Sequence, residues 1–173
     1  MRYQQLIESH DIDTIELDST LVDLCRMVVD GQKQGTGEHG MVGACCIGPA
    51  GKTSSTTMRH DGKWSHAERE AVDAYESQYG SIADCTVVTT LSPCTNAMPD
   101  REGLSCQDFL DSKGITKIYC GYKDPTQGGD YIVTNNKDIE KICKSLADTF
   151  LEENFHDGKK PGRKGLAIGR AHV

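Results

Sequence analysis

HAEREAVDAYESQYGSIADCTVVTTLSPC, residues 66–94, is the stretch of sequence that decides the fold. Its first half predicts an α-helix that Gly80 closes, because four residues recur on one helical face: Ala67, Ala71, Ala74 and Tyr75. Residues 84–91, DCTVVTTL, form the clearest strand pattern in the chain. A helix followed directly by a strand is typical of an α/β fold.

The flanking segments continue this alternation of helices and strands. Residues 18–30 predict an amphipathic helix capped by Asp18 or Ser19, and residues 31–40 predict a polar, glycine-dense loop. The remaining expected elements are a hairpin with strands over 41–48 and 53–58, a short helix over 106–112, a strand over 115–122 and a helix over 136–155. The order predicts a three-layer α-β-α sandwich with a mixed central sheet of about five strands.

Composition indicates one acidic domain with a basic end. The chain has 173 residues and a net charge of −7 at neutral pH. A chain of this length can bury one core, so we expect a single domain over residues 1–157. Residues 158–173 carry five bases and no acid and predict a flexible tail, which leaves 14 bases against 26 acids, or −12, on the remainder. Such an acidic body repels phosphate backbones, which disfavours general nucleic-acid binding.

The cysteines and the lack of apolar spans indicate a reducing, aqueous compartment. Six cysteines are expected to be reduced core thiols: Cys25, Cys45, Cys46, Cys85, Cys120 and Cys143. The N-terminus has no signal-type apolar region, and no segment approaches the roughly 20 apolar residues that a membrane span needs. We therefore expect a cytoplasmic protein with neither a disulfide framework nor a membrane partner.

The other two cysteines and a histidine form the candidate metal site. His66, Cys94 and Cys106 are each predicted at the start of a helix, where the helix N-terminus favours the thiolate form that binds zinc. Three protein ligands leave the fourth position of a tetrahedral site for water, as in catalytic zinc sites. The sequence therefore predicts a catalytic Zn²⁺ site.

Glu68 is the carboxylate that could serve such a site as a proton shuttle. A second interpretation is structural, because residues 65–68 match S-x-x-E, a capping box in which Glu68 would only bond the backbone of Ser65. Taken with the metal site, the shuttle is favoured. Ser105 and Asp108 have the same spacing, and there we expect a helix cap.

These residues match a signature of zinc deaminases, H-x-E followed by P-C-x-x-C. Here His66-Ala67-Glu68 and Pro93-Cys94 carry it, with the second cysteine displaced to Cys106. At these residues the chain resembles the cytidine deaminase-like superfamily over roughly residues 40–145. It is most similar to the pyrimidine deaminase branch of riboflavin biosynthesis, through four further segments: Val42–Ala44, Thr90–Cys94, Gly114-Ile115 and Asp124-Pro125.

The resemblance implies a hydrolytic reaction in which water displaces ammonia from a pyrimidine-type ring and Glu68 transfers the protons. It also implies substrate contacts by three residues: His60, Ala67 and Ser92. The sequence departs from the family pattern in the eleven residues between Cys94 and Cys106, and in Ser92, where Glu is common. Glu38 and His39 stand where Asn-Pro often precedes the first strand.

The predicted partner is a small, nucleotide-like substrate, and a homodimer is compatible with the sequence. Two alternatives remain open. One is deamination of a base in single-stranded DNA or RNA, gripped by the loop after Cys94 and by the basic tail. The other is a non-catalytic zinc module in an interaction protein, which the presence of Glu68 beside only three ligands disfavours.

Overall fold

The computed structural model describes residues 13–95, 104–129 and 131–155. These residues form four helices and six strands, in the order α1 (Thr14–Lys33), β1 (His39–Gly48), β2 (Gly51–His60), β3 (Lys63–Ser65), α2 (Ala67–Tyr79), β4 (Thr86–Leu91), α3 (Cys106–Ser112), β5 (Lys117–Tyr122), β6 (Ile132–Val133) and α4 (Lys137–Phe155). The predicted tail over 158–173 and most of the loop between Cys94 and Ser105 lie outside the described residues. Within them, no helix is long and apolar enough to cross a membrane.

The six strands form one mixed sheet in the order β3-β2-β1-β4-β5-β6. Strand β1 pairs antiparallel with both β2 and β4, and β3 pairs antiparallel with β2. Strands β4, β5 and β6 run parallel. The predicted mixed sheet is confirmed. It has more strands than the expected five or so because β3 and β6, with three and two residues, are too short to show an alternating pattern.

Two apolar clusters cover the two faces of the sheet. Successive residues of β1 enter different clusters: Ala44 and Cys46 pack with α2 and α3, while Cys45 and Ile47 pack with α1 and α4. This alternation is the period of two expected of a strand buried on both sides. The three-layer α-β-α sandwich is therefore confirmed. The six cysteines expected in the core are all free and buried.

Helix α1 is longer than predicted at both ends. Asp13, rather than residues 18–19, is its N-cap, and the Asp13 carboxylate accepts a hydrogen bond from a first-turn backbone N–H at 2.8 Å. Asp18 lies inside the helix, where its carboxylate accepts 2.7 Å hydrogen bonds from the hydroxyls of Tyr119 and Thr134. Aspartate is a typical N-cap residue, so the sequence favours a cap at Asp18. Its actual partners, Tyr119 and Thr134, are distant in the sequence and meet Asp18 only in the folded chain.

Candidate metal centre

His66, Cys94 and Cys106 lie together in the structure. The Nδ1 atom of His66 lies 2.6 Å from the Sγ atom of Cys106 and 3.7 Å from the Sγ atom of Cys94. All three possible ligand atoms lie within 4.8 Å of one another. Among the described residues, no other group of three His, Cys, Asp or Glu side chains has such spacing. The three predicted ligands thus form one cluster.

Two helix starts and one strand end position these side chains. His66 occupies the N-cap position of α2, and the first turn of the helix bonds back to its carbonyl. Cys106 is the first residue of α3, which Ser105 caps as predicted by accepting a 3.0 Å hydrogen bond from the Asp108 N–H. Cys94 lies in the irregular segment that follows β4. Its predicted place at a helix start is therefore wrong.

Although Cys94 does not begin a helix, it accepts hydrogen bonds from the N-terminus of helix α3, at the other end of the loop. The backbone N–H of Cys106 donates to the Cys94 Sγ at 3.2 Å, and the N–H of Gln107 donates to the Cys94 carbonyl at 3.0 Å. Hydrogen bonding with Cys106, assisted by His66, lowers the pKa of the Cys94 thiol to about 5 despite its partial burial. The hydrogen bond with Cys94 and burial raise the pKa of the Cys106 thiol well above the ordinary thiol value.

Cys94 is expected to be the most reactive thiol of the metal-free protein. With a pKa of about 5 it is largely thiolate at about pH 6.5, and the other seven cysteines are buried whereas Cys94 is partly accessible. Iodoacetamide followed by peptide mass mapping should show Cys94 modified first, at a rate that falls as the pH is lowered through about 5. Added zinc should protect it. Equally slow labelling of every cysteine would contradict the lowered pKa.

Glu68 lies in the first turn of α2 and is only 3% exposed. Burial raises the pKa of its carboxyl above the ordinary value, while the nearby His66 and a hydrogen bond with Cys106 act in the opposite direction. The carboxyl therefore lies beside the cluster without being one of its three members. A buried acid with a shifted pKa at this place is suited to acid–base chemistry.

The capping-box interpretation of Glu68 is wrong. Ser65 would have to be the N-cap, but it ends β3, and His66 occupies the N-cap position without a side-chain cap bond. The Ser65 hydroxyl is buried and has no hydrogen-bond partner in the described part of the chain. Pairing with Met58 of β2 keeps Ser65 in the sheet, so the helix starts one residue later than a capping box requires.

Two of the predicted substrate contacts adjoin the ligands along the chain. Ala67 is the first residue of α2, and its side chain is completely buried in the core. Ser92 lies two residues before Cys94 and is also buried, with its hydroxyl accepting a 2.9 Å hydrogen bond from the Asp124 N–H. Their contact with a substrate stays a prediction.

His60, the third predicted substrate contact, is the last residue of β2. Its Nε2 atom lies 3.0 Å from the Oε1 atom of Glu70 in the first turn of α2, and 48% of its side chain is exposed. The structure thus pairs His60 with Glu70 rather than with the cluster of His66, Cys94 and Cys106. A role in substrate binding stays a prediction for this residue too.

The segment between β5 and β6 contributes residues that the sequence did not single out. The backbone N–H and hydroxyl of Thr95 donate to the Gln127 Oε1 at 2.9 and 3.2 Å. The Tyr131 hydroxyl donates to the Gln107 side-chain carbonyl and lies 3.4 Å from the Pro93 carbonyl. Each contact involves a residue next to Cys94 or Cys106. The Asp124-Pro125 pair of the family resemblance lies in this segment, but no local pattern in the sequence indicates these long-range contacts.

The donor set fits zinc. One imidazole nitrogen and two sulfurs are ligands that Zn²⁺ prefers, and the pKa of the Cys94 thiol is lowered to about 5, which favours the thiolate that binds zinc. Three protein ligands are also the number found in catalytic zinc sites. The fold and this site together define a cytidine deaminase-like α/β zinc domain.

Comparison with known families gives the same class. A family model described as the cytidine and deoxycytidylate deaminase zinc-binding region matches residues 17–122, more than half of the sequence, and the chain belongs to this family. A comparison with curated proteins found no match.

Solved structures share the fold at low sequence identity. A diaminohydroxyphosphoribosylaminopyrimidine deaminase/5-amino-6-(5-phosphoribosylamino)uracil reductase from Thermotoga maritima is 17% identical with a TM-score of 0.53, and the match covers 79% of this chain and 43% of that protein. Acinetobacter baumannii RibD, form 2, is also 17% identical with a TM-score of 0.51, and the match covers 79% and 40%. This chain thus spans less than half the length of these proteins, and the likeness concerns the fold alone.

Proposed function

We propose that this protein is a zinc-dependent hydrolytic deaminase that releases ammonia from an amino-pyrimidine-type nucleotide or a related small molecule. The observation that carries the proposal is the buried Glu68 carboxyl beside His66, Cys94 and Cys106. A zinc site that only stabilises a fold normally has four protein ligands, whereas this cluster has three and an additional acid. Membership of the deaminase zinc-binding family supports the same class of reaction.

The ligands and Glu68 divide the chemistry between them. His66, Cys94 and Cys106 would hold zinc, whose Lewis acidity activates water near neutral pH when the ion is bound. Glu68 would accept the first proton of the water that adds to the amine-bearing carbon and pass it to the adjacent ring nitrogen. It would then carry the second proton from the added hydroxyl to the amine, which leaves as ammonia. A carbonyl replaces the amine, and one water is consumed.

The burial of Glu68 supports this role. A shuttle must both accept and release a proton, and it does so best when its pKa lies near the working pH. Burial moves the pKa of Glu68 upward, in the direction of neutral pH. His66 and the Cys106 hydrogen bond act against that rise.

The substrate class is the finer part of the proposal. The Thermotoga maritima neighbour is described as a deaminase of a phosphoribosylated aminopyrimidine, so a pyrimidine nucleotide of this type is the first compound to test. The charge of −12 on residues 1–157 weakens the case for a polynucleotide substrate, because it repels a phosphate backbone at long range.

The decisive experiment is a screen of ammonia release. The panel should contain free bases, nucleosides, nucleotides, the riboflavin-pathway pyrimidine and single-stranded oligonucleotides. We expect release from at least one monomeric aminopyrimidine, loss of that activity after a chelator removes zinc, and recovery when zinc is restored. Release from oligonucleotides alone would favour the nucleic-acid alternative. A zinc-loaded, folded protein that deaminates nothing in the panel would contradict the proposal and favour a non-catalytic module.

A further inference from the structure

The Tyr131 hydroxyl contacts both chain segments that carry the cysteine ligands. It donates a hydrogen bond to the Oε1 atom of Gln107, the residue after Cys106. It also lies 3.4 Å from the carbonyl oxygen of Pro93, the residue before Cys94. One side chain from outside the cluster thus bridges the two segments whose relative position sets the distance between the thiols.

The orientation of Gln107 shows how this contact reaches Cys94. The Gln107 Nε2 donates to the Asp111 carboxylate at 2.8 Å, so the Oε1 atom faces Tyr131 as an acceptor. The backbone N–H of the same glutamine donates to the Cys94 carbonyl at 3.0 Å. Gln107 is therefore held by Tyr131 through its side chain and holds the Cys94 segment through its backbone.

Tyr131 is held in place by residues other than the three metal ligands. Its ring packs against the apolar cluster that lies between the sheet and helices α2 and α3. The residues that follow it form β6, which pairs with β5. Gly129 has a φ of +93°, and a Cβ at this position would come within 2.5 Å of the Tyr131 hydroxyl oxygen. The glycine thus allows the chain to pass closely under the ring.

We propose that Tyr131 is a positioning residue of the zinc site, whose hydroxyl holds the Cys94 and Cys106 segments at the separation that one metal ion requires. The inference rests on the zinc site of the proposed function but not on any substrate. Residues that orient metal ligands from outside the coordination sphere typically contribute about 10- to 100-fold in metal affinity. The hydrogen bonds of the Tyr131 hydroxyl go to Gln107 and Pro93, so we expect its effect on the thiols to pass through these two residues.

The test is the zinc affinity of Tyr131→Phe, measured by competition with a chromophoric chelator. The phenylalanine ring retains the apolar packing and removes only the hydroxyl. We expect zinc to bind about tenfold more weakly, while the melting temperature of the metal-free protein changes little. The visible bands of bound Co²⁺, which report coordination geometry, should also shift. An affinity within about twofold of wild type, with unchanged Co²⁺ bands, would overturn the inference.

Tyr119→Phe is the matched control. It also removes a tyrosine hydroxyl that makes a hydrogen bond, here the 2.7 Å bond to Asp18 on the other face of the sheet. This variant should lose stability and keep wild-type zinc affinity. If both variants weaken zinc binding equally, the effect is general destabilisation and Tyr131 has no positioning role. Gln107→Ala should weaken zinc binding as well, and its combination with Tyr131→Phe should add little because both act on one contact.

These outcomes are separable from those of the proposed function, because zinc affinity is measured without substrate. Wild-type protein that binds zinc tightly but deaminates nothing would end the functional proposal and leave the role of Tyr131 intact. Undiminished zinc binding by Tyr131→Phe in an active deaminase would end the inference and leave the function intact.

Discussion

Glu68→Gln is expected to lower turnover by about a hundredfold or more while zinc remains bound. An amide neither accepts a proton from water nor delivers one at neutral pH, so the shuttle is lost. Glutamine has nearly the same shape as glutamate, and the three predicted ligands are untouched. Steady-state ammonia release on the substrate found by screening, together with elemental analysis of zinc, measures the effect.

The stability of this variant gives a second readout. Burial raises the pKa of the Glu68 carboxyl in the folded state above its ordinary value of 4.5. The carboxyl therefore contributes stability that is fully present below about pH 4.5 and is lost as the pH rises through the raised value. In the metal-free protein, wild type should lose stability with rising pH relative to Glu68→Gln. Denaturant melts at several pH values would show it.

Glu76→Gln is the matched control for the turnover experiment. It makes the same chemical change in the same helix, but Glu76 is partly exposed and forms an ion pair with Lys113 at 2.8 Å. Turnover should stay near wild type. If Glu68→Gln keeps its zinc, its fold and wild-type turnover, the proposed mechanism is wrong.

Cys94→Ser and Cys106→Ser are each expected to reduce bound zinc from about one ion per chain to a small fraction of that. A serine hydroxyl stays protonated at neutral pH and is a poor zinc ligand, so two protein ligands remain where three are needed. Ammonia release should fall with the metal. Elemental analysis after dialysis against a weak chelator measures the loss.

The matched control for these variants is Cys25→Ser. It makes the same substitution in a buried cysteine on the other face of the sheet, where Cys25 contacts Cys143 at 3.6 Å between sulfur atoms. This variant should lose some stability and keep its zinc. Full zinc content in both Cys94→Ser and Cys106→Ser would show that the ion binds elsewhere.

Regular periodicity explains which parts of the fold could be predicted. The predicted bounds of helix α3 agree with the observed ones, and those of β1, α2 and β4 agree within about two residues. Strands β3 and β6 escape prediction because segments of three and two residues carry no period. The predicted start of α1 is wrong because Asp18 has the composition of a cap but bonds to Tyr119 and Thr134 from other elements.

The types of chemical group are determined by the sequence alone. The motif around His66 and Glu68, together with the Pro93-Cys94 pair, is sufficient to indicate a nitrogen ligand, a sulfur ligand and an acid. Hydrophobic periodicity likewise determines the three layers, because burial of alternate residues is a local property of each segment.

Only the tertiary structure decides how these groups meet. His66 lies 28 and 40 residues from the two cysteines in sequence, and the fold brings the start of α2, the start of α3 and the segment that follows β4 together so that the three ligand atoms meet. In the folded chain Cys94 also accepts a hydrogen bond from a helix N–H that its own segment lacks, Glu68 is buried, and Tyr131 contacts both cysteine segments. Such features depend on contacts between distant segments, and no pattern within one segment can encode them. The sequence determines which groups are available for chemistry, and the packing of the sheet and helices determines their pKa values and distances.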